Sequence, residues 1–365
     1  MPHQRPASPS RREFLATAAG AAAASLAAPA VIAEQKSDSA PRTGQGEFQF
    51  EVQHDWAQLP DKYHWQTTHG VALDRDGFLY VIHEGREELK DHPSIFVFDP
   101  EGRFVRAFGN QFQGGGHGIE VRQEGNDQFL YVSAYQQCKT FAKMNLKGEI
   151  VWQKFAPMKS GVYTEGEDTG PKKIWGRDRF MPTNFAFLAD GDFLLTDGYG
   201  SYYVHRYDRD GNWKSQFGGP GDGSGKFDTP HGICFDQRPG RDPAAVICDR
   251  AHNSLQFISL DGKYISTLEG FGLPANAETS GELLVVPELV GCVSLLNSRN
   301  EVVARLCDDA ERIRADKKFE IRGNPQAWKP GRFVHPHDAC FDPHGNLFVA
   351  EWVATGRVTR LKRLA

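Results

Sequence analysis

Four times in this chain a histidine opens a short run of alternating apolar residues: His69 in THGVALD, His117 in GHGIEV, His231 in PHGICFD and His337 in PHDACFD. The intervals of 48, 114 and 106 residues are about one, two and two periods of a repeat of roughly 50 residues. A repeat of this kind returns one imidazole to the same structural position each time. Several imidazoles gathered around one axis make a metal site the first expectation.

The segments between these histidines share one grammar. HGVALDRDGFLYV, HGIEVRQEGNDQFLYV, NFAFLADGDFLLT, HGICFDQRPGRDPAAVICD and HDACFDPHGNLFVAE each carry an alternating apolar run, a polar turn and a second β-prone run. Further strands follow around Asp-Gly turns, as in IFVFDPEGRFVRAFG and YYVHRYDRDGNWKSQFG, the mark of a hairpin. A fifth unit, GELLVVPELVGCVSLLNSRNEVVARL, keeps the later strands, but its opening near Pro274 lacks the motif. Openings near His69, His117, Thr183, His231, Pro274 and His337 give six units. Four short strands per unit, repeated radially with few helical patterns, describe an all-β, six-bladed β-propeller. A pair of β-sandwiches would leave the regular period unexplained. In a propeller the first strand of each blade faces the central channel, so the histidines are expected to meet there.

The front of the chain reads differently. SRREFL carries the pair Arg11 and Arg12, and an Ala-rich stretch runs from it to Ala30, with small residues before Glu34. Residues 1–33 are therefore read as a twin-arginine export signal, which places the protein in the periplasm or outside the cell. Residues 34–46 are polar and bear Pro and Gly, as a linker does, and the propeller is expected over 47–365. Nothing after the leader resembles a membrane span. The formal net charge is −5, and removing Arg5, Arg11 and Arg12 with only Glu13 makes the remainder more acidic. That argues against nucleic acid as a partner and leaves a small-molecule or peptide substrate, with room for a protein partner. Six cysteines show no CxxC spacing. Cys234 and Cys340 hold equivalent positions in their units, which favours packing, while a Cys292–Cys307 bridge is compatible with export.

Zinc with an open position takes about three neutral imidazoles, and His117, His231 and His337 can supply them from three blades. One such histidine alone is better explained by a backbone hydrogen bond in the channel. Three or four at one repeat position favour a metal. A second layer comes from the residues that close each unit's second strand: His83-Glu84-Gly85, Ala134-Tyr135-Gln136, Asp197-Gly198-Tyr199, Asp249-Arg250, Pro287-Glu288 and Glu351-Trp352. On a propeller these sit at the channel mouth. A tyrosine, an arginine and carboxylates beside a metal can act as base, anion clamp and orienter. Asp197 and Asp249 suit turns equally well, and Tyr199 suits packing on the rim.

The order DGY at 197–199, PH at 230–231, DR at 249–250 and PHD at 336–338 resembles the peptidyl-α-hydroxyglycine α-amidating lyases, a branch of the NHL-repeat propellers. The resemblance runs from about residue 66 to the C-terminus and is strongest over 181–257 and 335–342. It implies cleavage of a carbinolamide, N-acyl-α-hydroxyglycine, to a terminal amide and glyoxylate. It implies zinc on His117, His231 and His337, Tyr199 as the catalytic base, and Arg250 as the clamp for the substrate carboxylate. It also implies a channel calcium on Asp338 and the carbonyls of Val71 and Ile119. Oxygen ligands suit calcium and imidazoles suit zinc. The chain departs from the family pattern at three places. Glu84 stands where the lyases carry a first-blade arginine, Gly200 follows Tyr199 in place of a cysteine, and His69 is an additional imidazole that could serve as a fourth ligand.

The expected function is an exported zinc-dependent carbon–nitrogen lyase with amidating-lyase-like chemistry. The alternative is a non-catalytic NHL-repeat binding protein whose metals are structural pins, which Glu84 and His69 favour. A calcium-dependent lactonase on a similar propeller would need a channel dominated by Glu, Asn and Asp.

Overall fold

Turn chemistry folds each unit into a meander. Asp99 Oδ1 accepts the backbone N–H groups of Glu101 (3.0 Å) and Arg103 (2.9 Å). Gly102 can then take a φ of 86°, which a residue with a Cβ resists. Asp208 repeats the device with Asp210 and Asn212, both at 2.9 Å. Such turns join neighbouring antiparallel strands throughout. The computed structural model describes residues 40–364 apart from Lys90 and Pro171, so the expected export signal lies outside the described residues.

The strands form six sheets in chain order. Their inner strands are Thr68–Leu73, Gly116–Glu124, Phe185–Phe187, Pro230–Asp236, Glu278–Ser280 and Pro336–Phe341. This is the six-bladed β-propeller that the repeat predicts. The degenerate fifth unit forms a full four-stranded blade. Among the described residues no helix is long and apolar enough to cross a membrane.

The last blade is completed by the front of the chain. Phe48–Gln53 pairs antiparallel with Arg357–Arg363, and Arg42–Gln45 pairs with Phe48–Gln53 as a fifth, outermost strand. The stretch expected to be linker, 34–46, thus gives residues 42–45 to the sheet. Six apolar wedges fill the spaces between neighbouring blades. Tyr80, Ile82, Leu130 and Val132 pack between the first two, for example, and Val81, Phe96, Phe348 and Ala350 between the sixth and first. With apolar side chains in the wedges, the axis is left to polar groups. All six cysteines are free, Cys292 and Cys307 included.

Candidate active site

The four blade-opening histidines meet on the axis. Ring centroids are 4.8 Å apart for His69–His117 and His117–His231, 4.7 Å for His231–His337 and 4.6 Å for His69–His337. All four are essentially buried. Three of them share an anchor. Nδ1 of His117 points at the Thr183 carbonyl (3.1 Å), that of His231 at the Ala275 carbonyl (2.6 Å) and that of His337 at the His69 carbonyl (2.8 Å). Imidazoles of blades two, four and six therefore reach the opening residue of blades three, five and one. A carbonyl only accepts, so each of these Nδ1 atoms carries the proton and each Nε2 presents a lone pair. Burial holds all three well below the ordinary histidine range, with neighbouring His69 adding to it at His117 and His337 and Arg250 adding to it at His231. They are neutral, anchored imidazoles, the form that metals bind.

His69 differs. Neither of its ring nitrogens has a hydrogen-bond partner, and Nε2 lies 3.6 Å from a carboxylate oxygen of Glu84. Burial alone would raise Glu84, but His69 and Tyr135 outweigh it and its carboxyl is held below the usual range. By distance alone, nitrogens of His69, His117 and His337 form the tightest group, all within 4.8 Å of one another. His231 falls outside that group while its Nε2 takes the Tyr199 hydroxyl at 2.9 Å. The fixed tautomer is the stronger criterion, because a ligand needs a lone pair aimed at the axis. His117, His231 and His337 share that tautomer, and the His231 lone pair accepts the Tyr199 hydroxyl. The Nε2 atoms of His117 and His337 are buried without a partner, which fits a cation-binding position.

Further along the inner strands the lining changes to oxygen. Asp338 accepts from the Val71 backbone N–H (2.9 Å), Asn276 Nδ2 (2.5 Å) and its neighbour Ala339 (2.9 Å). Burial, against those hydrogen bonds, pushes Asp338 up to about 6. Burial and the Asp338 charge push Glu278 up to about 8. Glu120 is raised well above the carboxylate range by burial, Asp338 and Glu278. Oδ1 of Asn184 and of Asn276 are buried without partners, and both residues line a small cavity with the four histidines and Asp338. Clustered carboxylates and two orphaned amide oxygens, with no side-chain cation paired to Asp338, Glu120 or Glu278 among the described residues, suit a hard cation. Of the two further positions named in the sequence, Val71 is buried and bonded to Asp338 through its nitrogen. Ile119 is buried in the second inner strand, opposite Val132.

At the mouth one rule places the side chains. The acid at the end of a second strand clamps the backbone just ahead of the same blade's inner strand. Asp197 accepts Met181 N–H (2.6 Å), Asp249 accepts Asp228 (2.8 Å), Glu288 accepts Gly272 (2.5 Å) and Glu351 accepts Val334 (2.8 Å). These acids are structural. In four blades the residue after that position faces the opening instead, and Tyr135, Arg250, Leu289 and Trp352 line one cavity there. Glu84 is the first-blade member of that set and touches Gln136 as well as His69.

Tyr199 and Arg250 form a pair beside the imidazoles. Arg250 Nη1 donates to Tyr199 Oη at 3.0 Å, and its guanidinium lies 4.9 Å from the ring centroid. The protonated Nδ1 of His231 makes its Nε2 an acceptor, so the Tyr199 hydroxyl donates there. Arg250 has no carboxylate partner among the described residues, so it is a cation held ready for an anion.

No protein-family model matches the chain. Solved structures share the propeller fold. A virginiamycin B lyase from Staphylococcus aureus aligns at 13% identity over 86% of this chain and 100% of that one, with a TM-score of 0.53. A gluconolactonase from Xanthomonas campestris aligns at 13% identity over 89% and 96%, with a TM-score of 0.55. A streptogramin B lyase aligns at 12% identity over 86% and 97%, with a TM-score of 0.53. The chain is thus a six-bladed β-propeller whose structural neighbours include lyases and a lactonase.

Proposed function

We propose that the protein is an exported, metal-dependent lyase that cleaves the C–N bond of a carbinolamide carrying a carboxylate. The observation that carries this reading is the Tyr199 oxygen held between Arg250 Nη1 (3.0 Å) and His231 Nε2 (2.9 Å), next to His117 and His337, whose anchored imidazoles leave Nε2 unpartnered. Its support also includes the motif order shared with the amidating lyases and the two lyases among the structural neighbours. His117, His231 and His337 would hold zinc, which supplies a Lewis acid for the carbinol oxygen. Asp338, with Glu120 and Glu278 nearby, would hold calcium as a structural ion.

The chain's own groups then have defined tasks. Arg250 binds the substrate carboxylate through its free guanidinium face. Tyr199, held beside Arg250, serves as the base that takes the hydroxyl proton. The O–H electron pair becomes the second bond of the aldehyde carbonyl, and the C–N pair leaves with nitrogen. Tyr199 returns the proton to that nitrogen, giving an amide and glyoxylate. The buried channel keeps bulk water from the proton exchange. The test is glyoxylate release from α-hydroxyhippurate by protein purified without chelators, together with elemental analysis. Turnover with one zinc per chain is expected. Fully metallated protein that releases no glyoxylate rejects the assignment.

A further inference from the structure

Above Tyr199 and Arg250 the mouth opens into a cavity of about 620 Å³. Its walls are unlike the polar channel. One aromatic group is Trp175, whose ring lies 5.6 Å from Tyr199 and 6.1 Å from Tyr135. A second is Phe319, 5.7 Å from His335 and 6.3 Å from Trp352. Arg250 supplies positive charge within the cavity. Arg314 and Lys317, also in its lining, have no ion pair or side-chain hydrogen bond among the described residues.

Much of this wall belongs to the segment between the fifth and sixth blades, which contains the helix Ala310–Ala315. Within it Phe319 is 54% exposed and holds a φ of 56°. A bulky side chain resists that conformation. The turn is nevertheless fixed, because the Asp316 carboxylate accepts the backbone N–H groups of Glu320 (3.1 Å) and Ile321 (2.7 Å). The strained, well-fastened turn thus displays an aromatic ring over the cavity.

We infer that the cavity selects N-acyl amino acids with a bulky, flat acyl group, whose carboxylate meets Arg250 and whose ring packs on Phe319, the specificity-determining residue. The inference rests on the lyase reading for the role of Arg250 but requires no turnover. Aromatic rings favour stacked and edge-to-face contacts with one another, and the three cations, against the single carboxylate of Asp316, favour an anionic ligand.

Binding of uncleavable N-acylglycines to the metallated protein tests it by calorimetry. Hippurate is expected to bind at least about tenfold more tightly than N-acetylglycine or the neutral N-methylbenzamide, a preference of the size that a buried ring supplies. Phe319→Ala should weaken hippurate about tenfold and leave N-acetylglycine within about twofold. Phe319→Gly relieves the backbone, so its Tm should not fall while hippurate affinity does. Equal affinity for hippurate and N-acetylglycine, or an equal loss of both in Phe319→Ala, overturns the inference. Selectivity without glyoxylate release rejects the lyase reading alone. Glyoxylate release without selectivity rejects this inference alone.

Discussion

The imidazoles of the even blades and the imidazole of the first blade occupy the same repeat position, yet they are built for different ends. His117, His231 and His337 each rest Nδ1 on a neighbouring blade's carbonyl. His69 has no such rest and turns to Glu84. Repetition alone therefore does not make a ligand. The carbonyl beneath the ring fixes which nitrogen carries the lone pair, and so which imidazoles are prepared for a metal.

The largest test of this contrast is removal of the rings. His337→Ala should abolish zinc retention and lower turnover by on the order of 1,000-fold, whereas His69→Ala should keep one zinc per chain with affinity within about tenfold. Metal content after dialysis against a weak chelator reads both. Loss of zinc in His69→Ala with retention in His231→Ala would reverse the ligand assignment and favour the set defined by distance alone.

Next in size is the group beside the ring. Tyr199→Phe should retain zinc and lose on the order of 100-fold in turnover. Arg250→Lys should chiefly raise KM, since a point charge replaces a bidentate fork. A Tyr199→Phe protein with unchanged kcat would leave the phenol a packing role.

The smallest effect contrasts the imidazoles with the carboxylates further along the channel. Burial lowers the three anchored histidines, so metal-free protein loses stability as pH falls below their ordinary 6.5. Burial raises Glu278 from 4.5 to about 8. Its contribution is full below 4.5 and is lost as pH rises towards 8. Above pH 6.5 metal-free protein should lose on the order of a few kcal/mol over the full titration of Glu278, and His252, raised despite burial by its pair with Asp249, adds to the loss in the same direction. Glu278→Gln should flatten the Tm profile there, and saturating calcium should flatten it in the unsubstituted protein. A profile that still falls in Glu278→Gln would move the effect to Glu120, Asp338 or His252.

Much of this was legible in the residues. The six blades followed from turn chemistry and period, and the convergence of four histidines followed from their shared position. Even the fifth blade, without its motif, was located, and its Ala275 carbonyl anchors His231. The difference between His69 and the other three was not legible, because it depends on carbonyls of adjacent blades that carry no side-chain signature. Asp197, Asp249, Glu288 and Glu351 stood among candidate mouth groups. They prove to be backbone clamps, because a carboxylate that meets a buried N–H satisfies it better than water at the rim could. Phe319 was missed for a simpler reason. Its segment lies outside the repeat, so periodicity said nothing about it. The fastening of residues 42–53 to the last blade was hidden likewise, since pairing partners some 310 positions apart leave no local pattern.

That fastening has a kinetic consequence. The pairs Phe50↔Arg363 and Gln53↔Arg360 span nearly the whole described chain, so the ring closes through the contacts of greatest sequence separation. Loop closure over such a span is entropically slow. Until it happens, the sixth sheet has an open edge and one apolar wedge is incomplete on a nascent molecule. Once made, the join ties the two ends of the fold to a single sheet, and unzipping from either end must break the same seam. Slow entry and slow exit are the two faces of that seam, and together they would give a long-lived native state governed by its unfolding rate.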